Sequence, residues 1–258
     1  MRHILPSIVL ACALLLASGC TTVPVTGRRQ LMLTSTEQEN SLGATAYSEY
    51  KKQYKPSSNA QYNAMLSRVG AAISKVAERD DFEWEFIVLE SKEQNAFCLP
   101  GGKVAVYSGI MDIMRNEAEL ACVVGHEIGH AIARHGGERQ SWGVLQSLGA
   151  KLFSNEYAQA AYGIGTQVGV ILPFSRQNES EADYIGLVLM AKAGYDPAAA
   201  VEFWQRFGSG EQGTLEAFLS THPTGPERIK DLQEKQQEAM QYYKSAADRK
   251  GFGETLKH

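Results

Sequence analysis

Residues 116–135 read Asn-Glu-Ala-Glu-Leu-Ala-Cys-Val-Val-Gly-His-Glu-Ile-Gly-His-Ala-Ile-Ala-Arg-His, and this stretch decides the fold. Asn116 and Glu119 form a capping-box pattern, which predicts the start of a helix. We expect the helix to reach about His135 and to end at the two glycines at 136–137. Because nearly every position is apolar, the helix is predicted to be buried.

Three polar side chains stand inside this apolar helix, namely His126, Glu127 and His130. The two imidazoles lie at positions i and i+4, about 40° apart around a helix, so both can reach one ion. Each buried polar group would cost about 2 kcal/mol or more without a partner. A zinc ion held by both histidines would satisfy them and would leave Glu127 beside the metal as a general base. The alternative is a pair of core histidines with ordinary hydrogen bonds.

A catalytic zinc ion needs a third protein ligand and an open position. His135 lies nine residues after His126, on the opposite side of a continuous helix, so we interpret it as structural. Glu179 is the better candidate, because Glu179 and Asp183 lie at i and i+4 and offer a ligand and a carboxylate that can hold a histidine N–H. Glu181 is predicted to point the other way as a solvated surface charge. Solvated acids on an exposed helix are the alternative for Glu179 and Asp183 as well.

The rest of the chain is predicted to be mainly helical, with a small antiparallel or mixed sheet. Apolar and aromatic runs predict strands at 82–89, 95–99 and 104–107. Capping and proline signals predict helices at 36–54, 59–79, 173–194 and 226–250, and one more opened by Asp196 and Pro197. The first of these helices is predicted to begin with a capping box from Thr36 to Glu39.

Residues 141–172 are rich in glycine and alanine and poor in charged residues. This composition indicates a helical hairpin of low intrinsic stability. From the composition and the position of the segment, we hypothesise that it acts as a lid that limits access to the cleft.

Residues 1–19 resemble an export signal, with a basic start and an apolar stretch shorter than the roughly 20 residues of a membrane-spanning helix. Small residues lead to Cys20, an arrangement that resembles the bacterial lipoprotein signal, in which this cysteine is acylated. The sequence therefore predicts a signal peptide at 1–19, a lipid-anchored tether at 20–36 and a catalytic domain at 37–258.

Composition excludes some classes of function. The chain has 258 residues, a formal net charge of -4 and a pI near 5.9, without a lysine- or arginine-rich run. We therefore expect no binding of nucleic acid. After the signal and Cys20, two cysteines remain, Cys98 and Cys122, which are either buried thiols or a disulfide pair.

Four motifs together resemble one known family. They are H-E-x-x-H at 126–130, E-x-x-x-D at 179–183, Asn95-Ala-Phe97 followed by a Gly-Gly turn, and His222-Pro223. This combination is similar to the membrane-associated gluzincin zinc metallopeptidases, such as the CAAX endopeptidases and the HtpX-like proteases. The similarity covers residues 37–235 and is greatest to the periplasmic peptidase lipoproteins of that family. It implies an α+β, mainly helical zincin-type (gluzincin) domain with a small β-sheet and an HExxH active-site helix.

The resemblance also implies roles for individual residues. His126, His130 and Glu179 would bind one zinc ion per chain. Glu127 would be the general base, and Asp183 would orient a ligand.

Two further parts of the site are implied in the same way. His222 would donate to the oxyanion with support from Arg228, and the alternative is a surface histidine. The strand residues Asn95, Ala96 and Phe97 would pair with an extended or unfolded polypeptide substrate.

The predicted function is that of a zinc-dependent endopeptidase lipoprotein in the envelope of a Gram-negative bacterium. Through an acylated Cys20 it would be anchored in the membrane, at the periplasmic face of the outer membrane, and would cleave misfolded or outer-membrane proteins. The alternative is a zinc-holding chaperone or assembly adaptor with vestigial proteolysis. The intact Glu127 argues against that alternative, because a purely structural zinc site needs no base.

Overall fold

The computed structural model describes residues 20–151, 155, 159, 172–208, 218, 222 and 226–256, without the side chains of 172–174, 207, 208 and 226. The signal predicted at 1–19 lies outside the described residues. The same holds for most of the hairpin predicted at 141–172, of which only the first part is described, as helix.

The described elements confirm a mainly helical α+β fold. In chain order they are β1 (Cys20–Thr22), β2 (Arg29–Leu31), α1 (Thr36–Gln53), α2 (Ala60–Val76), β3 (Glu85–Leu89), β4 (Ala96–Leu99), β5 (Lys103–Tyr107), α3 (Ser108–Met111), α4 (Glu117–Ile132), α5 (His135–Ala150), α6 (Leu172–Lys192), α7 (Ala198–Gly208) and α8 (Pro226–Ser245). Within this described part, no helix is both long and apolar enough to cross a membrane.

Helix α4 is the centre of the hydrophobic core, and all of its residues except His130 are buried. Helices α2, α6 and α7 and the strand β4 pack around it. The core that they enclose includes Met65, Val123, Ile128 and Trp204. Burial of each large apolar side chain contributes about 1.5–3 kcal/mol, so this packing holds α4 firmly in place.

The start of α4 is capped in a way that differs from the predicted box. The Asn116 side chain accepts a hydrogen bond from the Glu119 backbone N–H, at 3.0 Å, as predicted. The Glu119 carboxylate, however, accepts from the backbone N–H of Arg115 rather than from that of Asn116. The first two N–H groups of the helix donate to carbonyls of the C-terminal segment, those of Phe252 and Glu254.

The end of α4 also differs from the prediction. The helix stops at Ile132, Arg134 adopts a left-handed conformation with φ 57°, and α5 begins at His135. The glycines at 136–137 therefore lie in the first turn of α5 instead of ending α4. The change of direction turns His135 back towards His130, which a continuous helix would not do for residues five apart.

Helices α4 and α6 approach each other closely through glycines. A Cβ atom added at Gly186 would lie 2.6 Å from the backbone nitrogen of His126, and one at Gly129 would lie 2.7 Å from the carbonyl oxygen of Ala182. Side chains at these positions would clash with backbone, so glycine is required for the approach. The contact brings the carboxylates of α6 next to the imidazoles of α4.

The sheet is small and mixed, as predicted. Strand β5 is central, with β3 parallel to it on one side and β4 antiparallel on the other. Gly101 and Gly102 form the turn between β4 and β5 with φ +83° and +78°, a conformation that favours glycine. Strand β3 begins at Glu85, three residues later than predicted. Among the described strands, β4 is an edge strand.

Residues 20–36, which we call the N-terminal segment, fold against the domain. Strands β1 and β2 pair antiparallel, with Cys20 opposite Leu31, and Cys20 itself is exposed. The next helix, α1, is capped one residue earlier than predicted, by Ser35 together with Gln38. A segment predicted to be only a tether is therefore a packed hairpin.

Candidate metal centre

Four side chains converge beside the centre of α4. His126 and His130 come from α4, Glu179 from α6, and His222 from the chain between α7 and α8. One ligand atom of each lies within 4.8 Å of all the others. The three ligands that the sequence predicts are thus brought together, and His222 joins them.

The distances show which atoms face the centre. The Nε2 atoms of His126 and His130 are 3.1 Å apart, and each lies 3.4 Å from a Glu179 carboxylate oxygen. His222 Nδ1 is 3.1 Å from His126 Nε2 and also 3.1 Å from Glu179. Two imidazoles and a carboxylate are the donor set of many catalytic zinc sites.

The ionisation of His126, His130 and Glu179 is perturbed. Burial lowers the pKa of His130 well below its usual value, which leaves the ring neutral, as a metal ligand must be. Burial also opposes the charge on His126, but hydrogen bonds with Asp183 and Glu179 raise its pKa to about 9. Burial alone would raise the pKa of Glu179, yet hydrogen bonds from the histidines hold it well below its usual range. Metal binding at His126 would therefore release a proton.

Glu127 is a buried carboxylate beside the four grouped side chains. It is only 4% exposed, and its Oε1 has no hydrogen-bond partner among the described residues. This oxygen lies 3.4 Å from His222 Nε2. Burial raises the pKa of Glu127 above its usual value. A buried carboxylate oxygen without a partner costs free energy, and a metal ion with a bound reactant beside it would supply the missing partner, so the residues fit zinc.

Asp183 contacts the imidazole of His126. Its Oδ1 accepts a hydrogen bond from His126 Nδ1 at 2.8 Å. Arg228 donates to both oxygens of Asp183, at 2.5 and 2.8 Å, and its guanidinium lies 4.0 Å from the ring centre of Trp204. The Arg228 charge helps to hold the pKa of Asp183 below its usual value, against the effect of burial.

His222 lies beside the other three grouped side chains. Its ring stacks on Phe218 with 4.5 Å between centroids, and its Nδ1 faces the ligands. Its backbone carbonyl accepts a hydrogen bond from Arg228 at 3.3 Å. The main partner of Arg228 is nevertheless Asp183.

The prediction that Glu181 is a solvated surface charge is wrong. Glu181 is 7% exposed and accepts hydrogen bonds from His135, Arg28 and Thr26. The prediction fails because the N-terminal segment covers this face of α6, and an isolated helix pattern contains no information about that cover.

His135 is not among the four grouped ligands, and we predicted a structural role for it. The prediction assumed one continuous helix, whereas His135 lies in a separate helix. It begins α5, and its Nδ1 contacts His130 Nδ1 at 2.8 Å. Sequence reasoning missed this contact, together with the part played by Arg28. The only available signal was a histidine five residues after a predicted zinc ligand.

The expected substrate strand lies beside the site. Ala96 is buried in the main core, whereas Phe97 packs on the other face against Tyr50, with 4.6 Å between ring centroids. Burial raises the pKa of the Cys98 thiol, and strand β4 packs against α4, the helix that carries Glu127. Both Cys98 and Cys122 are free thiols, so the disulfide alternative is not observed.

Comparison with known proteins agrees with this geometry. The family model described as Peptidase family M48 matches residues 60–236, more than half of the chain. The chain belongs to peptidase family M48. This confirms the resemblance to a zinc metallopeptidase family and the zincin-type domain. M48 metallopeptidases use zinc, the ion that the grouped ligands fit.

Individual relatives of this M48 chain come from mitochondria and from bacteria. The mitochondrial metalloendopeptidase OMA1 of Schizosaccharomyces pombe is 36% identical over 82% of this chain and 65% of its own length. The protein of the same name in Arabidopsis thaliana is 38% identical over 69% of this chain and 36% of its own. The beta-barrel assembly-enhancing protease of Yersinia pestis is 30% identical over 76% of this chain and 43% of its own. The M48 chain thus spans only part of the length of these relatives.

Proposed function

We propose that this protein is a zinc-dependent endopeptidase in which His126, His130 and Glu179 bind the metal and Glu127 is the general base. The observation that carries the proposal is the buried Glu127 carboxylate beside the ligand group. A structural metal site gains nothing from such a group, whose burial is costly. A hydrolytic site requires it.

The roles of the side chains follow from their positions. Zinc, when bound, supplies the Lewis acidity that polarises a peptide carbonyl and acidifies water. Glu127 accepts a proton from the attacking water and delivers it to the amine of the departing peptide. Because burial raises the pKa of Glu127, the carboxyl group is suited to give back the proton that it takes. Asp183 keeps the His126 ring oriented throughout.

His222 has two possible roles that one measurement separates. As an oxyanion donor it would support turnover without being needed for metal binding. As a fourth ligand, a role that its position beside Glu179 allows, it would strengthen metal binding and would have to leave the ion when the substrate binds, because a catalytic zinc ion needs an open position. In the first case the variant His222→Phe keeps its zinc affinity and loses activity. In the second case its zinc affinity falls.

The substrate that suits this site is an extended or unfolded polypeptide. Strand β4 is the edge of the described sheet, so a peptide backbone can pair with it as an added strand. The packing of β4 against α4, the helix that carries Glu127, supports pairing close to the base. Backbone pairing through Asn95, Ala96 and Phe97 would recognise disordered segments more than particular side chains.

We place the protein in the envelope of a Gram-negative bacterium, anchored through acylated Cys20 after removal of residues 1–19. The exposure of Cys20 at the start of β1 is compatible with an attached lipid. The name of the Yersinia pestis relative, a beta-barrel assembly-enhancing protease, supports misfolded or outer-membrane proteins as substrates. Mass spectrometry of the purified protein would detect the acyl groups on Cys20.

The test compares the full chain with two variants, after purification in detergent. Glu127→Gln should retain zinc and lose cleavage of unfolded casein by about 100-fold or more, the usual contribution of a general base. The matched control is Glu119→Gln, which alters another buried glutamate of the same helix, one that contacts no histidine in the described structure. It should keep both zinc and cleavage.

Two outcomes would change the proposal. Full activity of Glu127→Gln would remove Glu127 from the chemistry. Zinc without cleavage in the unmodified protein, on casein and on unfolded outer-membrane proteins alike, would favour the adaptor alternative.

A further inference from the structure

A line of buried polar contacts leads from His130 away from the metal group. His130 Nδ1 lies 2.8 Å from His135 Nδ1, and His135 Nε2 lies 2.9 Å from Glu181 Oε2. His135 and Glu181 are both buried. The line starts on a residue with a proposed ligand role and passes through two residues to which the proposed mechanism gives no role.

A single assignment of protons satisfies every contact along this line. If His130 binds the metal through Nε2, as the proposed function requires, its proton must be on Nδ1. That N–H donates to His135 Nδ1, which accepts because His135 carries its own proton on Nε2. His135 Nε2 then donates to the Glu181 carboxylate. The pair His135 and Glu181 thus fixes both the tautomer and the orientation of His130.

The far end of the line is held by the N-terminal segment. Arg28 Nε donates to Glu181 at 2.8 Å, and its two terminal nitrogens donate to the oxygens of Glu138 at 2.9 and 2.7 Å. Thr26 donates to the second oxygen of Glu181. Two buried carboxylates require a compensating charge, and Arg28 supplies it from the chain that follows Cys20.

We propose that His135 and Glu181 position the ligand His130, and that Arg28 of the N-terminal segment completes this support. The segment that carries the predicted lipid anchor is then part of the active-site structure. All three are positioning residues, because none of them touches the substrate or the reacting atoms. This inference depends on the proposed function, because it requires His130 to be a ligand.

The experiment measures metal binding instead of turnover. The full chain is purified in detergent and stripped of metal, and its zinc affinity is determined by competition with a chromophoric chelator. Glu181→Gln should bind zinc about 10-fold more weakly, a usual effect of removing an outer partner of a ligand. Arg28→Gln should weaken binding in the same direction and to a smaller extent. The visible spectrum of the Co²⁺-loaded protein should shift in both variants, because it reports ligand geometry.

Glu119→Gln is again the matched control. Glu119 is as buried as Glu181 and binds Arg206 through both oxygens, at 2.6 and 2.7 Å. Its variant should lose stability like Glu181→Gln while it keeps the zinc affinity and the Co²⁺ spectrum of the unmodified protein. If Glu181→Gln fails to fold, Arg28→Gln decides the question, because it leaves both histidines and both carboxylates in place.

The outcomes separate the inference from the proposed function. If the unmodified protein binds no zinc, the proposed function fails. If the unmodified protein binds zinc and cleaves casein, but Glu181→Gln matches Glu119→Gln in zinc affinity and spectrum, only the inference fails. If Glu181→Gln weakens zinc binding and Arg28→Gln does not, the N-terminal segment has no part in positioning His130.

Discussion

The two histidines of α4 are held in place from opposite sides by supports of different length. His126 binds the carboxylate of Asp183 directly, and Arg228 of α8 neutralises that carboxylate. His130 reaches its carboxylate, Glu181, only through a second imidazole, and the neutralising arginine comes from the N-terminal segment. Both supports end in an ion pair of a buried carboxylate with an arginine, but they join the metal centre to different parts of the fold.

The difference shows how a metal centre can be coupled to two regions at once. The short support lies inside the region that matches the M48 family model and should be the more important for metal affinity, because nothing intervenes between the carboxylate and the ligand. The long support contains one more hydrogen bond, that between His130 and His135. A shift in this bond would change the orientation of His130. It also makes the geometry of His130 depend on a segment that precedes the domain.

The largest effect is expected from breaking the short support with Asp183→Asn. The change leaves the buried Arg228 without its main counter-charge, so the free energy of unfolding of the metal-free protein should fall by about 3 kcal/mol or more. Zinc affinity should fall about 100-fold, the upper end for loss of an outer partner. Denaturant unfolding and chelator competition measure the two quantities. If Asp183→Asn binds zinc as tightly as Glu181→Gln does, the two supports are equivalent.

The sequence predicted the carboxylate of the short support, Asp183, but assigned Arg228 to His222 instead, and it predicted no part of the long support. Glu179 and Asp183 share one helix, so their spacing places both on the same face, next to the pair in H-E-x-x-H. The long support depends on the left-handed turn at Arg134, which redirects His135. A helical pattern does not indicate where a helix stops within an apolar run, and the glycines at 136–137 favoured the wrong end.

The same limit explains the error at Glu181. Whether a helix face is solvated depends on what packs against it, and here the cover comes from Arg28, more than a hundred residues away in sequence. The helices and the small sheet could be predicted, because local periodicity and capping determine them, and the spacing of the motifs predicted that His126, His130 and Glu179 come together. Contacts between distant segments required the structure.

Both supports depend on the close approach of α4 and α6, and the substitution Gly186→Ala tests this dependence with a smaller expected effect. A Cβ atom added at Gly186 would lie 2.6 Å from the backbone of His126. Gly186→Ala should therefore separate the helices and lower the free energy of unfolding by about 1–3 kcal/mol. Because Asp183 and Glu181 both lie on α6, zinc affinity should fall as well.

The control for this substitution is Gly143→Ala in α5, where an added Cβ atom meets nothing within 4 Å. Alanine favours a helix over glycine, so this variant should be unchanged or more stable by up to about 1 kcal/mol. Thermal unfolding with and without zinc compares the two. A Gly186→Ala protein with unaltered zinc affinity would mean that the supports tolerate a shift of α6.

The smallest effect is expected at the outer end of the long support. Thr26 donates a hydrogen bond to Glu181 in the buried face that the N-terminal segment covers. Thr26→Val keeps the shape of the side chain and removes this donor, which should lower the free energy of unfolding by about 1 kcal/mol. Arg28 and His135 still hold Glu181 in this variant, so zinc affinity should weaken less than in Arg28→Gln.

The control is Thr45→Val, which removes an exposed hydroxyl bonded to the Ser41 carbonyl in α1. It should change the free energy of unfolding by less than about 0.5 kcal/mol. Equal effects of the two threonine substitutions would show that the N-terminal segment only covers Glu181. A larger effect of Thr26→Val, on zinc affinity as well as on stability, would show that the segment helps to orient His130, which is linked to Glu181 through His135.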